Sequence, residues 1–190
     1  MRLRRKAFYN RTLTIYVEIN MTLPNPEDLL NDICAHIKSQ IALHGAANCA
    51  LVGIHSGGVW LMDRILKSLN LDIANGTLDA GMYRDDYNQR GLKAELKPAN
   101  INFDITDKHI ILIDDIFYTG RTTRAAMNEL FDYGRPASIT LAALINRGGA
   151  QLPIMPNIVG ANIALNSTQS LQLSLDTKGK LHLSLEAANV

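Results

Sequence analysis

The sequence predicts an α/β fold: a mostly parallel sheet flanked by helices, followed by a C-terminal β-hairpin. Three observations carry that prediction. Short runs such as CALVGI, IILI and SITLAALI are apolar at consecutive rather than alternate positions, the pattern of strands buried on both faces. Amphipathic stretches separate these runs, and strands alternating with helices imply a parallel sheet with helices packed on it. Finally, LQLSLDTKGKLHLSL alternates Leu with polar residues on either side of a Lys-Gly turn, the signature of a hairpin.

Taken in order, the first helix is expected over 26–43. Asn25 is placed to cap it, Pro26 takes the first helical position, and Glu27 and Asp28 supply negative charge to the first turn. Leu29, Leu30, Ile33, Ile37 and Ile41 fall near helical spacing, and Gly45 stops the run. A strand over 49–54 leads through His55-Ser56-Gly57-Gly58 into a helix carrying Trp60, Leu61, Ile65 and Leu69. A strand is expected around 77–83, ending in YRDD, and residues 84–105 form a polar stretch without a stable period. A strand over 109–113, a helix over 121–133 and a strand over 138–145 follow, the helix ending at Gly134-Arg135-Pro136.

At 190 residues and 47% hydrophobic, the chain has room for one domain with a substantial core. The formal net charge is +1, unevenly distributed. Residues 1–20 hold five basic residues and one acid, leaving the rest at net −3. A slightly acidic body is not an obvious polyanion binder. Residues 1–20 show neither turn chemistry nor apolar period, and they read as a disordered basic extension ahead of a domain spanning 21–190. Cys34 and Cys49 lack metal-ligand spacing and read as buried, inert thiols of a cytoplasmic protein. No apolar run approaches the ~20 residues needed to span a bilayer, so no membrane partner is expected.

The most informative stretch is Ile110–Thr122, IILIDDIFYTGRT. Its apolar strand runs into adjacent carboxylates, Asp114 and Asp115, at the carboxyl end where open α/β sheets bind ligands. Acceptor-only side chains there suit vicinal sugar hydroxyls. The turn Tyr118-Thr119-Gly120-Arg121-Thr122 then offers a Gly for close approach, two hydroxyls and the free N–H groups of a new helix, which suit a phosphate dianion. A phosphate holder one turn from a diol holder describes a ribose 5-phosphate site.

This string resembles the signature of the type I phosphoribosyltransferases, which bind phosphoribosyl pyrophosphate (PRPP). LVGIHSGGVWL, MYRDD, the run from Asp104 to Gly149, LPI and IVGANI are similar, in order, to the PyrR-type uracil phosphoribosyltransferases over roughly residues 25–170. The resemblance implies that fold, with a hood loop over the base, and synthesis of UMP and pyrophosphate from uracil and PRPP. Asp114, Asp115 and Arg84 would be the catalytic residues. Tyr118, Thr119, Gly120, Arg121 and Thr122 would hold PRPP, together with His55, Ser56, Gly57 and Gly58 as the pyrophosphate loop and Lys93 from the 84–105 lid. Arg147, Gly148, Ile158 and Val159 would lie over the base. No side chain is expected to ligate metal directly, Mg²⁺ being held by pyrophosphate oxygens, ribose hydroxyls and water. A homodimer or higher homo-oligomer is implied.

The alternative is a UMP-sensing regulator that binds pyrimidine-operon RNA with weak or no catalysis, since some of these proteins act as attenuators. Two departures bear on the choice. The family's pyrophosphate loop usually reads T-R-G where this chain has Ser56-Gly57-Gly58, and its basic hood segment H-R-E-L-P-I-R is replaced by the uncharged Gly149–Met155. RNA affinity rests on Lys and Arg contacts to phosphate, so specific RNA binding is not expected.

Overall fold

Consecutive apolar positions in the strand runs feed two separate cores, one on each face of a single sheet. The computed structural model describes residues 22–80, 98–166 and 168–187; the extension at 1–20, with Arg84 and Lys93, lies outside the described residues. The elements are α1 (Pro26–His44), β1 (Cys49–Ile54), α2 (Gly57–Leu69), β2 (Ala74–Leu78), β3 (His109–Phe117), α3 (Arg121–Asp132), β4 (Ser138–Asn146), β5 (Ile158–Asn162), β6 (Gln169–Leu175) and β7 (Leu181–Ala187). The first five strands form one parallel sheet in the order β2-β1-β3-β4-β5, while β6 and β7 form an antiparallel hairpin of their own.

Alternate side chains of each strand point to opposite faces. Leu51, Ile111, Ile113 and Leu144 therefore join Leu29, Ile33 and Ile37 of α1 and Leu61 and Ile65 of α2. Ala50, Val52, Ile110, Leu112 and Ala143 meet Ala125, Ala126 and Leu130 of α3 on the other face. The hairpin belongs to the α1/α2 side, where Leu171, Leu173 and Leu181 are buried. The start of α1 is as the sequence predicts: the Asn25 side chain accepts from Glu27 N–H at 3.1 Å, with Pro26 next. Both cysteines are free thiols, and burial pushes each above its usual pKa.

The structure corrects three boundaries. The strand expected around 77–83 begins at Ala74, because its register against β1 runs from Ala50↔Ala74 to Ile54↔Leu78. Its polar sequence, ANGTL, hid it. The strand expected to end at Ile113 continues to Phe117, paired with β4 as far as Asn146, so the two aspartates sit inside β3. The polar stretch also ends earlier than expected. Asn100 and Thr77 exchange both backbone hydrogen bonds, at 2.9 and 3.0 Å, and Ile105 is fully buried, so 98–105 is docked on the body.

Candidate active site

The two strand-to-helix turns that follow β1 and β3 lie side by side because β1 and β3 are neighbours. In a parallel sheet every strand ends on the same edge, so the ligand-facing turns gather there. Asp114 and Asp115 are 5% and 8% exposed, and Asp114 Oδ1 accepts from Asp115 N–H at 3.0 Å. They open onto a cavity of about 130 Å³.

The turn after β3 leads into a helix start that carries no side-chain cap. Gly120, at φ +87°, takes the left-handed conformation that lets the chain enter α3 without a side-chain cap. Thr119 Oγ1 receives Arg121 N–H at 3.3 Å. Thr123 Oγ1 is buried, with no hydrogen-bond partner among the described residues. α2 also begins without a side-chain cap. The His55–Ser56 peptide ahead of it is cis.

The loop from Ser56 to Gly58 presses directly on β3. A Cβ at Gly57 would lie 2.2 Å from Asp115 Oδ2, and one at Gly58 would lie 2.2 Å from the Ile113 carbonyl oxygen. The backbone contact makes glycine necessary at Gly58, whereas a side chain at Gly57 would have to displace the Asp115 carboxylate.

Among the residues expected at the site, the cavity brings together Asp114, Asp115, Tyr118, Thr119, Gly120, Thr122 and Arg147. Arg121 and Gly148 are exposed beside it, and the 55–58 loop reaches it through Gly57 against Asp115. Ile158 and Val159 are not in a loop. They lie in β5, and Ile158 is a core residue 7% exposed. The hood itself is the segment after Arg147. It is pinned to the strand end and the Tyr118–Thr122 turn by Arg147 N–H to the Phe117 carbonyl and Gln151 N–H to the Thr119 carbonyl, both at 2.9 Å.

Sequence reasoning missed Thr123, Ser170 and Leu171, all of which line the cavity. Thr123 carried a signal, as the second of two hydroxyl residues opening a helix. Ser170 and Leu171 carried none, because their hairpin is brought to the site by tertiary packing. Among the described residues no group of three or more His, Cys, Asp or Glu side chains is arranged to hold a metal ion, and no helix is long and apolar enough to cross a membrane.

Comparison with known proteins agrees with this geometry. Residues 26–176 match the family model of the phosphoribosyl transferase domain. The bifunctional protein PyrR of Pseudomonas fluorescens is 44% identical over 154 residues, covering 81% of this chain and 92% of that protein. The bifunctional protein PyrR of Pseudomonas syringae pv. tomato is 43% identical over the same length, covering 81% and 91%. Among solved structures, a hypoxanthine phosphoribosyltransferase from Staphylococcus aureus superposes with a TM-score of 0.57 at 21% identity, covering 79% of this chain and 80% of that one. A hypoxanthine-guanine phosphoribosyltransferase from Bacillus anthracis gives 0.58 at 17% identity, covering 77% and 86%. At such identities these structures speak for the fold. The parallel sheet, the acid pair beside an uncapped helix start and the close relatives together place the chain in the phosphoribosyl transferase domain family, with the PyrR proteins as its near kin.

Proposed function

We propose that the protein joins uracil to PRPP, releasing UMP and pyrophosphate. The observation that carries this reading is the shared cavity of Asp114, Asp115 and the Tyr118–Thr122 turn. In it Asp114 and Asp115 accept from the ribose 2′- and 3′-hydroxyls, while Thr119, Gly120, Arg121 and Thr122 receive the 5-phosphate, with Tyr118 alongside. In the loop His55–Gly58 the His55 N–H is given to the Leu78 carbonyl at 2.8 Å, and the backbone N–H groups from Ser56 to Gly58 are offered to pyrophosphate. Arg84 and Lys93 are assigned to the same charge from outside the described residues. Gly148, Ile158 and Val159 stay in the reading only through their backbone, which can read a pyrimidine's carbonyl and N–H edge.

Mg²⁺ brought in with PRPP would be held by its pyrophosphate oxygens, its ribose hydroxyls and water, with the nearly buried Asp114 and Asp115 accepting from those hydroxyls, and would neutralise the leaving group. No protein nucleophile is needed. Positioning, together with negative charge near a cationic ribosyl centre, lowers the barrier.

A second reading, a nucleotide-responsive RNA-binding regulator, is favoured by the name "bifunctional" that the relatives bear. Against it, Gly149–Met155 carries no charge. Labelled uracil incubated with PRPP and Mg²⁺ tests the first reading, with UMP the expected product. A gel shift with a pyrimidine-operon leader hairpin tests the second: UMP-stimulated, sequence-selective binding at physiological salt would establish it, and salt-sensitive, unselective binding would dismiss it.

A further inference from the structure

The hairpin contributes Ser170 and Leu171 to the cavity wall, although β6 shares no backbone ladder with the five-stranded sheet. Side chains must therefore hold it in place. At its turn, Arg64 donates to the Gly179 carbonyl at 2.7 Å, and Glu27 accepts both from Arg64 and from Leu181 N–H. At its start, beside the cavity, the tie is Arg147. The Arg147 Nη2 donates to the Gln169 carbonyl at 2.5 Å and reaches the Asn166 carbonyl at 3.5 Å. Its guanidinium carbon lies 4.0 Å from the centroid of the Tyr118 ring. The same side chain thus touches the phosphate turn on one side and the hairpin on the other.

The arrangement has a cost. Arg147 Nε is buried without a partner, and a buried donor left unmade is retained where the rest of the geometry compensates for it. A planar cation flattened on a ring, with one edge turned to backbone carbonyls, is a geometry that Arg provides and Lys does not.

We propose that Arg147 is a positioning residue: it couples the phosphate turn at Tyr118 to strand β6 at Gln169 and so sets the wall, formed by Ser170 and Leu171, that meets the base. This rests on the ribosyl-site reading above. With the phosphate at Thr119–Thr122 and the ribose at the aspartates, the base bonded to the ribose must lie against the remaining wall of the cavity. The guanidinium, already committed to Gln169 and Tyr118, acts on the base through the strand it holds.

The test compares ribose 5-phosphate with a panel of nucleoside 5′-monophosphates, UMP included, by titration calorimetry on the wild type, Arg147→Lys and Arg147→Met. The readout is the gain in affinity that the base adds over ribose 5-phosphate, a ratio taken within each protein and so insensitive to its active fraction. For the nucleotide the wild type prefers, both variants are expected to lose about tenfold or more of that gain, while ribose 5-phosphate affinity moves by less than about threefold. A wild-type preference for a base other than uracil would overturn the uracil reading and leave this comparison intact with that nucleotide. The coupling is overturned if Lys keeps the gain, if both affinities fall in parallel, or if no base adds affinity to the wild type.

Discussion

Asp115 and Gly57 show how closely chemistry and sterics are joined at single residues. Asp115→Asn keeps the shape but halves the acceptor character at the sugar hydroxyls, and turnover is expected to fall about a hundredfold or more with the fold intact. Unchanged turnover would remove the diol assignment. Gly57→Ala places a methyl where the Asp115 carboxylate lies, so the carboxylate must move. Turnover should drop and stability should fall by about 1–3 kcal/mol, read by kinetics and urea unfolding. Glu129 lies away from the site and carries a different prediction. Burial, then the neighbouring charges of Asp79 and Asp132, pushes its carboxyl above the usual 4.5. The folded state thus holds this proton to higher pH than the unfolded chain, and stability falls as pH rises through that window. Glu129→Gln should therefore raise the melting temperature at pH 7, and the advantage should fade as pH is lowered toward 4.5. An advantage that persists at low pH would point to another cause.

At the scale of elements, the hairpin depends on contacts made far from the site. Glu27→Ala leaves Arg64 and the Leu181 N–H without their shared acceptor, and the expected loss is about 1–3 kcal/mol in chemical denaturation. A negligible loss would mean that apolar packing of Leu171, Leu173 and Leu181 alone holds the hairpin. The same elements show what was legible in the sequence. The start of α1 was readable because capping is local: Asn25, Pro26 and Glu27 act within one turn. β1 and β4 were readable because both of their faces are buried, which leaves an unbroken apolar run. β5 was not readable as a strand, and β2 was read only with its bounds shifted toward 77–83. They are the two edges of the sheet, and polar or small residues such as Asn75, Gly76 and Gly160 suffice there, where pairing on one side defines the strand. The extent of β3 was hidden for another reason, since adjacent aspartates look like a turn unless the β4 ladder is known to continue past them.

For the whole molecule, topology does most of the work. Parallel pairing of β1 with β3 brings the Gly57 loop and the aspartates to one edge, and packing of the hairpin on the α1/α2 side brings Ser170 to the same cavity. The residues assigned to phosphate and ribose stand in one contiguous string. The wall assigned to the base does not and was not legible, because it is assembled from β4's end and a strand much later in the chain. On the proposed reading, this assembled cavity binds a pyrimidine ribonucleotide in one orientation. The most direct measurement is a crystal structure after soaking with PRPP, uracil and Mg²⁺. On this reading, density is expected for UMP or its precursors, with phosphate on Thr119–Thr122, ribose hydroxyls on Asp114 and Asp115, and the base against Ser170 and Leu171. Density showing the phosphate elsewhere, or the base turned away from β6, would contradict it.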